Sequence, residues 1–295
     1  MRKIIMSIIL IAAMSFQLKA QTLSPYIKVG DVPESMSAIS QKVIKALKDN
    51  GFTVIGSYHP AKKSSLKVIA FTRPELKYTV VQVADRGALA AAMRVGLVKK
   101  GNKITVSYTN PEYILRAYLQ NDYHKYKSFF NKFSNDIKQA LSEIGNDFTP
   151  FGGEIEAKKL KKYHYKIMMP YFTDPVELKE FSSFAEGVKT IENNLRNHVG
   201  NTVLVYKIKF RNKNVAVYGI GLLDKEDGEP RFLPKIGVEN VAGMPYEIIL
   251  QGKKASMLHG KYRLALYWPD LSMGTFMKIM STPGDIEDML EKNCE

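Results

Sequence analysis

Residues 91–119, AAMRVGLVKKGNKITVSYTNPEYILRAYL, decide how the chain is read. Met93, Val95 and Leu97 alternate with Arg94, Gly96 and Val98; after the polar turn Lys99 to Lys103, Ile104, Val106 and Tyr108 alternate with Thr105, Ser107 and Thr109. Alternation at every second position marks a strand with one buried face, so the two runs predict a hairpin. Asn110 then predicts a helix cap, because its side-chain oxygen accepts from a free backbone N–H. Pro111 suits the first helical position, where an N–H has no partner to lose.

Working outward, a strand is expected at Tyr26 to Val29 and a helix within Pro33 to Asn50, where Met36, Ile39, Val43, Ile44 and Leu47 share one face. Gly51 ends that helix, and strands follow from Phe52 to Ser57 and from Ser65 to Thr72. The stretch to Val83 is open between strand, favoured by Tyr78, Val80, Val81 and Val83, and a helix started by Pro74-Glu75. Beyond the hairpin, Tyr126, Phe129, Phe130, Phe133, Ile137, Leu141 and Ile144 trace one stripe of a long helix from Tyr123 to Ile144. Pro150, Gly152 and Gly153 mark the following segment as a linker.

The second half predicts a similar order. Tyr163 to Tyr171 reads as a strand, Ser183 to His198 as a helix, and Thr202 to Phe210 and Asn214 to Leu223 as strands. Tyr246 to Gln251 and Tyr262 to Trp268 read as counterparts of the first hairpin, with Pro269 matching Pro111. The expected fold is α+β: two similar modules, each an antiparallel sheet backed by helices. Residues 1–20 are an expected signal peptide, 21–145 the first module with its long C-terminal helix, 146–161 a linker and 162–295 the second module.

The leader rests on Arg2 and Lys3 ahead of an apolar run from Ile4 to Phe16, with Leu18 and Ala20 at the recognition positions for cleavage. That run is shorter than the roughly 20 residues a bilayer span needs. The expected location is periplasmic or secreted, with no transmembrane segment in the mature chain. Removing Arg2, Lys3 and Lys19 lowers the formal charge from +14 to +11, still strongly basic. The densest cluster, Lys158, Lys159, Lys161 and Lys162, reads as a solvated linker; the lysines are otherwise spread through both halves, and no nucleic-acid partner is expected. The lone cysteine, Cys294, allows no intramolecular disulfide and reads as a frayed terminal thiol.

The run Ala46-Leu47-Lys48-Asp49-Asn50-Gly51-Phe52-Thr53-Val54, followed by Phe71-Thr72-Arg73-Pro74-Glu75-Leu76 and the hairpin, resembles the family called domain of unknown function 302. The resemblance covers residues 25 to about 120 and implies a small antiparallel sheet backed by helices. Many relatives carry a cysteine after a Leu-Pro pair at the start of the hairpin. This chain has Ala90-Ala91-Ala92-Met93 there, so any thiol or metal chemistry of the family has no carrier.

No catalytic motif stands out. The five histidines, His59, His124, His164, His198 and His259, are scattered, whereas a zinc site needs three or four convergent ligands. There is no G-x-S-x-G elbow, P-loop or dinucleotide fingerprint; Gly219-Ile220-Gly221 lies in a predicted strand, where glycine marks a bulge or close packing. No catalytic residue, metal or cofactor is therefore expected. The candidate ligand-binding group is aromatic with a polar neighbour: Tyr108, Asn110 and Tyr113 in the first half, Trp268 and Asp270 in the second, both placed at a strand-to-helix junction. Rings filling the core at helix starts would give the same pattern. The expected function is a non-enzymatic envelope protein that binds a small molecule or another envelope component. The alternatives are a hydrolase whose carboxylates and histidine meet only in the fold, and a protein that binds an anionic surface or polymer.

Overall fold

A computed structural model describes residues 20–295; the expected signal peptide, but for Ala20, lies outside the described residues. The chain opens with β1 (Thr22–Leu23), β2 (Tyr26–Val32), α1 (Met36–Asp49), β3 (Thr53–Tyr58) and β4 (Leu66–Thr72). Then come α2 (Pro74–Val80), β5 (Met93–Lys100), β6 (Lys103–Thr109) and α3 (Pro111–Leu119). The stretch left open thus forms a helix, with Pro74 at its first position and Leu76, Thr79 and Val80 buried. The hairpin forms where the alternation places it, but not with one buried face: Met93 to Val98 are all buried, because the second half covers the side expected to meet water. Asn110 caps α3 by accepting from the Glu112 N–H at 3.2 Å.

The long helix expected from Tyr123 is broken: residues Gln120–Tyr126 form tight 3-10 turns, and α4 runs from Lys127 to Leu141. The aromatic stripe continues across the break, so periodicity does not reveal it. The expected linker is built into the fold. Within it β7 (Thr149–Phe151) pairs with β2, β8 (Ile155–Glu156) pairs with β1, and α5 (Ala157–Leu160) buries Leu160 while its lysines stay exposed.

The second half contains β9 (Val176–Glu180), α6 (Phe184–Arg196), β10 (Thr202–Phe210), β11 (Val215–Leu222), α7 (Glu229–Ile236), β12 (Tyr246–Gln251) and β13 (Lys254–Met257). It ends with α8 (Gly260–Tyr267), α9 (Met273–Met277) and α10 (Thr282–Glu291). Two expectations fail here. Tyr163 to Tyr171 is irregular, because β9 already occupies the place beside β13 and Pro170 has no N–H to give a ladder. Tyr262 to Tyr267 is helical and Trp268 caps its end: Tyr262 to Trp268 are all buried, so beyond Lys261 α8 has no polar face and shows none of the 3.6-residue pattern by which a helix is recognised. Cys294 is also not frayed; it is fully buried, and burial pushes its thiol up to about 12.

The first sheet runs β3-β4-β5-β6-β2-β7 and the second β10-β11-β12-β13-β9, antiparallel throughout. In each, the second strand in chain order lies at an edge and the first joins beside the last strand of the hairpin. Bulges fall in step too: Val29 in β2 and Leu178 in β9 are unpaired, as are Ile55 in β3 and Val205 in β10. α1 and α4 pack together, with α1 against β3, β4 and β5; α6 covers β10, β12 and β13. The other face of the first sheet meets the second half. β3 lies on β10, and the turn Val238–Gly243 lies on β4, β5 and β6, so one continuous core runs through both sheets.

Glycine makes that approach feasible. A Cβ on Gly96 would stand 2.8 Å from the Ala242 nitrogen, and one on Gly56 would stand 1.8 Å from the Val205 carbonyl oxygen. Gly56→Ala should therefore cost about 3 kcal/mol in urea unfolding, because backbone cannot move aside as a side chain would. Gly284→Ala, in α10 with nothing within 4 Å, should be neutral or stabilising by up to about 1 kcal/mol.

Candidate functional site

The five candidate residues do not converge. Tyr108 is buried in β6 with its phenol pushed up by burial, and with Asn110 it lines a polar hollow of about 490 Å³ beside α4. Asn110 is engaged on both sides of its amide, donating to the Ser24 carbonyl at 2.9 Å while it caps α3. Tyr113 is fully buried and donates to the Leu266 carbonyl at 2.7 Å. Trp268 and Asp270 follow the C-terminal end of α8 rather than a strand-to-helix junction; the equivalent helix start is capped by His259, whose Nδ1 accepts from the Lys261 N–H at 3.2 Å. Asp270 is exposed, whereas Trp268 is buried and its indole N–H points to the Gly237 carbonyl at 3.4 Å.

Between the halves lies a buried ionic cluster. Arg94 of β5 donates to Glu247 of β12 at 2.5 Å, to the Ala242 carbonyl at 3.2 Å and to the Tyr267 hydroxyl at 2.7 Å. Arg263 of α8 reaches the other Glu247 oxygen at 3.4 Å and the Pro245 carbonyl at 3.1 Å, and its guanidinium carbon sits 3.5 Å from the Tyr267 ring centre. Burial works against charge on both arginines, but Tyr267 and Glu247 more than offset it and hold both guanidiniums protonated. Two cations thus share one carboxylate, all at most 4 % exposed. The cluster joins the halves through the Arg94–Glu247 pair, and neither arginine nor Glu247 lines any of the five cavities described.

The outer side of α8 is different. Lys261, Leu264, Ala265 and Trp268, spaced at three and four, form one wall of a groove of about 230 Å³. Tyr165, Lys166, Ile167 and Met169 face them from the irregular stretch after α5, and Leu271, Met273 and Phe276 close the end around α9. Apart from the Trp268 N–H, the polar side-chain groups of the lining are the Tyr165 phenol and the two ammonium groups. Trp268 is thus the single candidate residue that lies in this groove. Sequence reading missed the rest because they come from separate segments. The ionic cluster did leave a signal: Arg94, Glu247 and Arg263 each interrupt an apolar run.

Among the described residues no group of three or more His, Cys, Asp or Glu could hold a metal. His59, His164 and His198 each lie within hydrogen-bonding distance of a backbone carbonyl through Nδ1. The strongly perturbed carboxyl is Glu229 of α7, fully buried against the first half. It accepts from the Tyr58 hydroxyl at 2.9 Å and from the backbone N–H of Ala61 at 2.8 Å and Leu222 at 3.0 Å. Burial outweighs these donors and pushes it up to about 7.

Residues 30–144, from within β2 through α4, match the family model described as domain of unknown function DUF302. The first sheet with its helices is a DUF302-like domain. No curated protein matches the chain. The DUF302-like half supplies Arg94, Tyr113 and Tyr118, all of which bond to groups on or beside α8, while the walls of the groove come from beyond residue 144.

Removing the shared carboxylate should be worse than removing one cation. Glu247→Gln leaves two buried guanidiniums with no counter-charge and should cost about 3–5 kcal/mol in urea unfolding, whereas Arg94→Met leaves a balanced pair and should cost less. Glu229 makes stability pH-dependent. Its folded pKa is raised, so its stabilising contribution is present near pH 4.5 and is lost as pH climbs through about 7, at up to about 1.4 kcal/mol per unit. Wild type should therefore lose stability relative to Glu229→Gln between about pH 5 and pH 7.5. His259, lowered by burial, titrates in both proteins, so the difference in urea midpoints isolates Glu229.

Proposed function

We propose that the chain is an exported, non-enzymatic binding protein of the cell envelope, periplasmic or secreted, that holds an apolar small molecule in the groove along α8. The groove carries this reading: it is concave and mostly apolar, with a few polar groups at its margin, the usual character of a ligand site. The segments that wall it also leave Ile167 88 %, Met168 97 % and Met277 58 % exposed. Apolar side chains kept in water over one region mark a binding surface, and methionine adapts its shape to what it covers.

A hydrolase would need a perturbed acid or histidine facing a cleft. Glu229 is perturbed, but both its oxygens accept hydrogen bonds from the fold and it lines none of the described cavities, which favours binding over hydrolysis. The export assignment is supported by the Arg2-Lys3 and apolar leader pattern. We infer as well that the two halves are copies of one module. The shared strand order and bulges support this, as do pairings between corresponding positions: Arg94 with Glu247, 153 residues apart, and Tyr118 with Tyr267, 149 apart.

Trp268 is the single tryptophan of the chain, so its emission reads the groove directly. Titration with N-phenyl-1-naphthylamine, a neutral apolar probe, should quench it saturably. Ala265→Phe, which fills the floor, should weaken that binding by about tenfold or more while leaving the fold intact by circular dichroism. Emission that never saturates in the wild type would end this reading.

A further inference from the structure

The groove has a polarity that its apolar floor does not explain. Lys261 stands on the first turn of α8 and Lys166 faces it from the opposite wall; both are exposed, and no carboxylate belongs to the lining. Among the described residues neither ammonium has a carboxylate within 4 Å. The nearby lysines of α5 differ: Lys158 and Lys159 are both paired to Glu156. Tyr165 is shared between the groove and a second hollow lined by Lys158, Lys159, Lys161 and Lys162 together with Glu154 and Glu156, so lysines outnumber carboxylates on that side as well.

We propose that the ligand is a single-chain anionic amphiphile, an acyl chain ending in a carboxylate or phosphate. This rests on the groove being a binding site, as argued above. The tail lies along Leu264, Ala265 and Trp268, where no hydrogen-bonding group competes for water, and the head pairs with Lys166 and Lys261. A volume of about 230 Å³ lies below the roughly 300–1,000 Å³ of ordinary ligand pockets, which fits one chain and excludes a two-chain lipid drawn in whole. The ammonium groups flank an apolar wall, so an anionic head gains more from them there than beside open water. A neutral tail of equal length gains nothing from them.

Laurate and 1-dodecanol, which share chain length and differ in head charge, separate the two ideas. Followed by Trp268 emission, laurate should bind the wild type about tenfold or more tightly than dodecanol, and the preference should shrink as salt is raised. The double variant Lys166→Gln, Lys261→Gln should lose the preference while its dodecanol affinity stays unchanged. A dodecyl phosphate arm tells whether carboxylate or phosphate is the better head, and either head binding above dodecanol supports the proposal. Equal binding of laurate, dodecyl phosphate and dodecanol, or a preference that survives in the double variant, overturns the anionic ligand while the groove reading stands. No saturable response to any of the three overturns both. Sedimentation with phosphatidylglycerol vesicles that is lost in the double variant and untouched by Ala265→Phe, with no laurate response, would assign the lysines to a membrane surface and overturn the proposal.

Discussion

Two guanidiniums and one carboxylate, closed off from water between the sheets, set the terms for the rest of the molecule. Burying such charges costs several kcal/mol each, and the cost is tolerable only if nearly every polar atom finds a partner. Glu247 meets Arg94, Arg263 and the Tyr206 hydroxyl, and Arg94 is finished by Ala242 and Tyr267. The excess positive charge has no second carboxylate, so it rests on rings: Arg263 lies 3.5 Å from the Tyr267 centroid and 5.0 Å from that of Tyr246. These partners belong to both halves. The sheets must therefore hold one relative position for the charges to be tolerated, and Gly56 and Gly96 allow backbone to come that close.

How legible a helix was in the sequence follows from how many of its faces meet water. α1 keeps a solvent face and reads as a helix by its period; β5 and β6 were legible by the alternation of residue types and their polar turn, although Met93 to Val98 are buried on both faces. Beyond Lys261, α8 has no solvent face; its run Tyr-Arg-Leu-Ala-Leu-Tyr-Trp imitates a strand because both sides of the helix are covered. Its cap was equally hidden. His259 does for α8 what Asn110 does for α3, but histidine is not among the usual capping residues, and the real second hairpin ends in a strand of only four residues. Of the candidate site, Trp268 is singled out by its pairing with Asp270 at an expected strand-to-helix junction, and it reaches the groove from the end of a helix instead. Ala265 and Phe276 were not legible, since small and apolar residues reveal a groove only when distant segments are brought face to face.

Those segments meet because α8 is held from behind. A helix ends with carbonyls that have no partner in the helix, and a buried end must find donors elsewhere. Here Tyr163, Tyr113 and Tyr26 donate to the carbonyls of Ala265, Leu266 and Tyr267 at 3.1, 2.7 and 2.8 Å. Two of the three tyrosines come from the first half of the chain. Tyr118 adds a hydroxyl contact to Tyr267 at 3.1 Å, which places the inner face of α8 on a fixed array of aromatic donors.

The consequence for binding is a division of labour across one short helix. Its inward side chains, Tyr262, Arg263 and Tyr267, and its last carbonyls are committed to the joint between halves. The side left over, Leu264, Ala265 and the ring of Trp268, has little to offer but apolar surface. A floor fixed in this way does not have to be ordered when a ligand arrives, and the entropy of ordering a site is a large part of what weak binders lose. The opposite wall offers exposed apolar side chains, Ile167 with Met168 beside it, and methionine adapts its shape to what it covers. Specificity cannot come from such a floor or from such a wall, since both accept any slender apolar chain. If the groove is a binding site, specificity has to come from the charged groups at its margin, which is why we place it on Lys166 and Lys261.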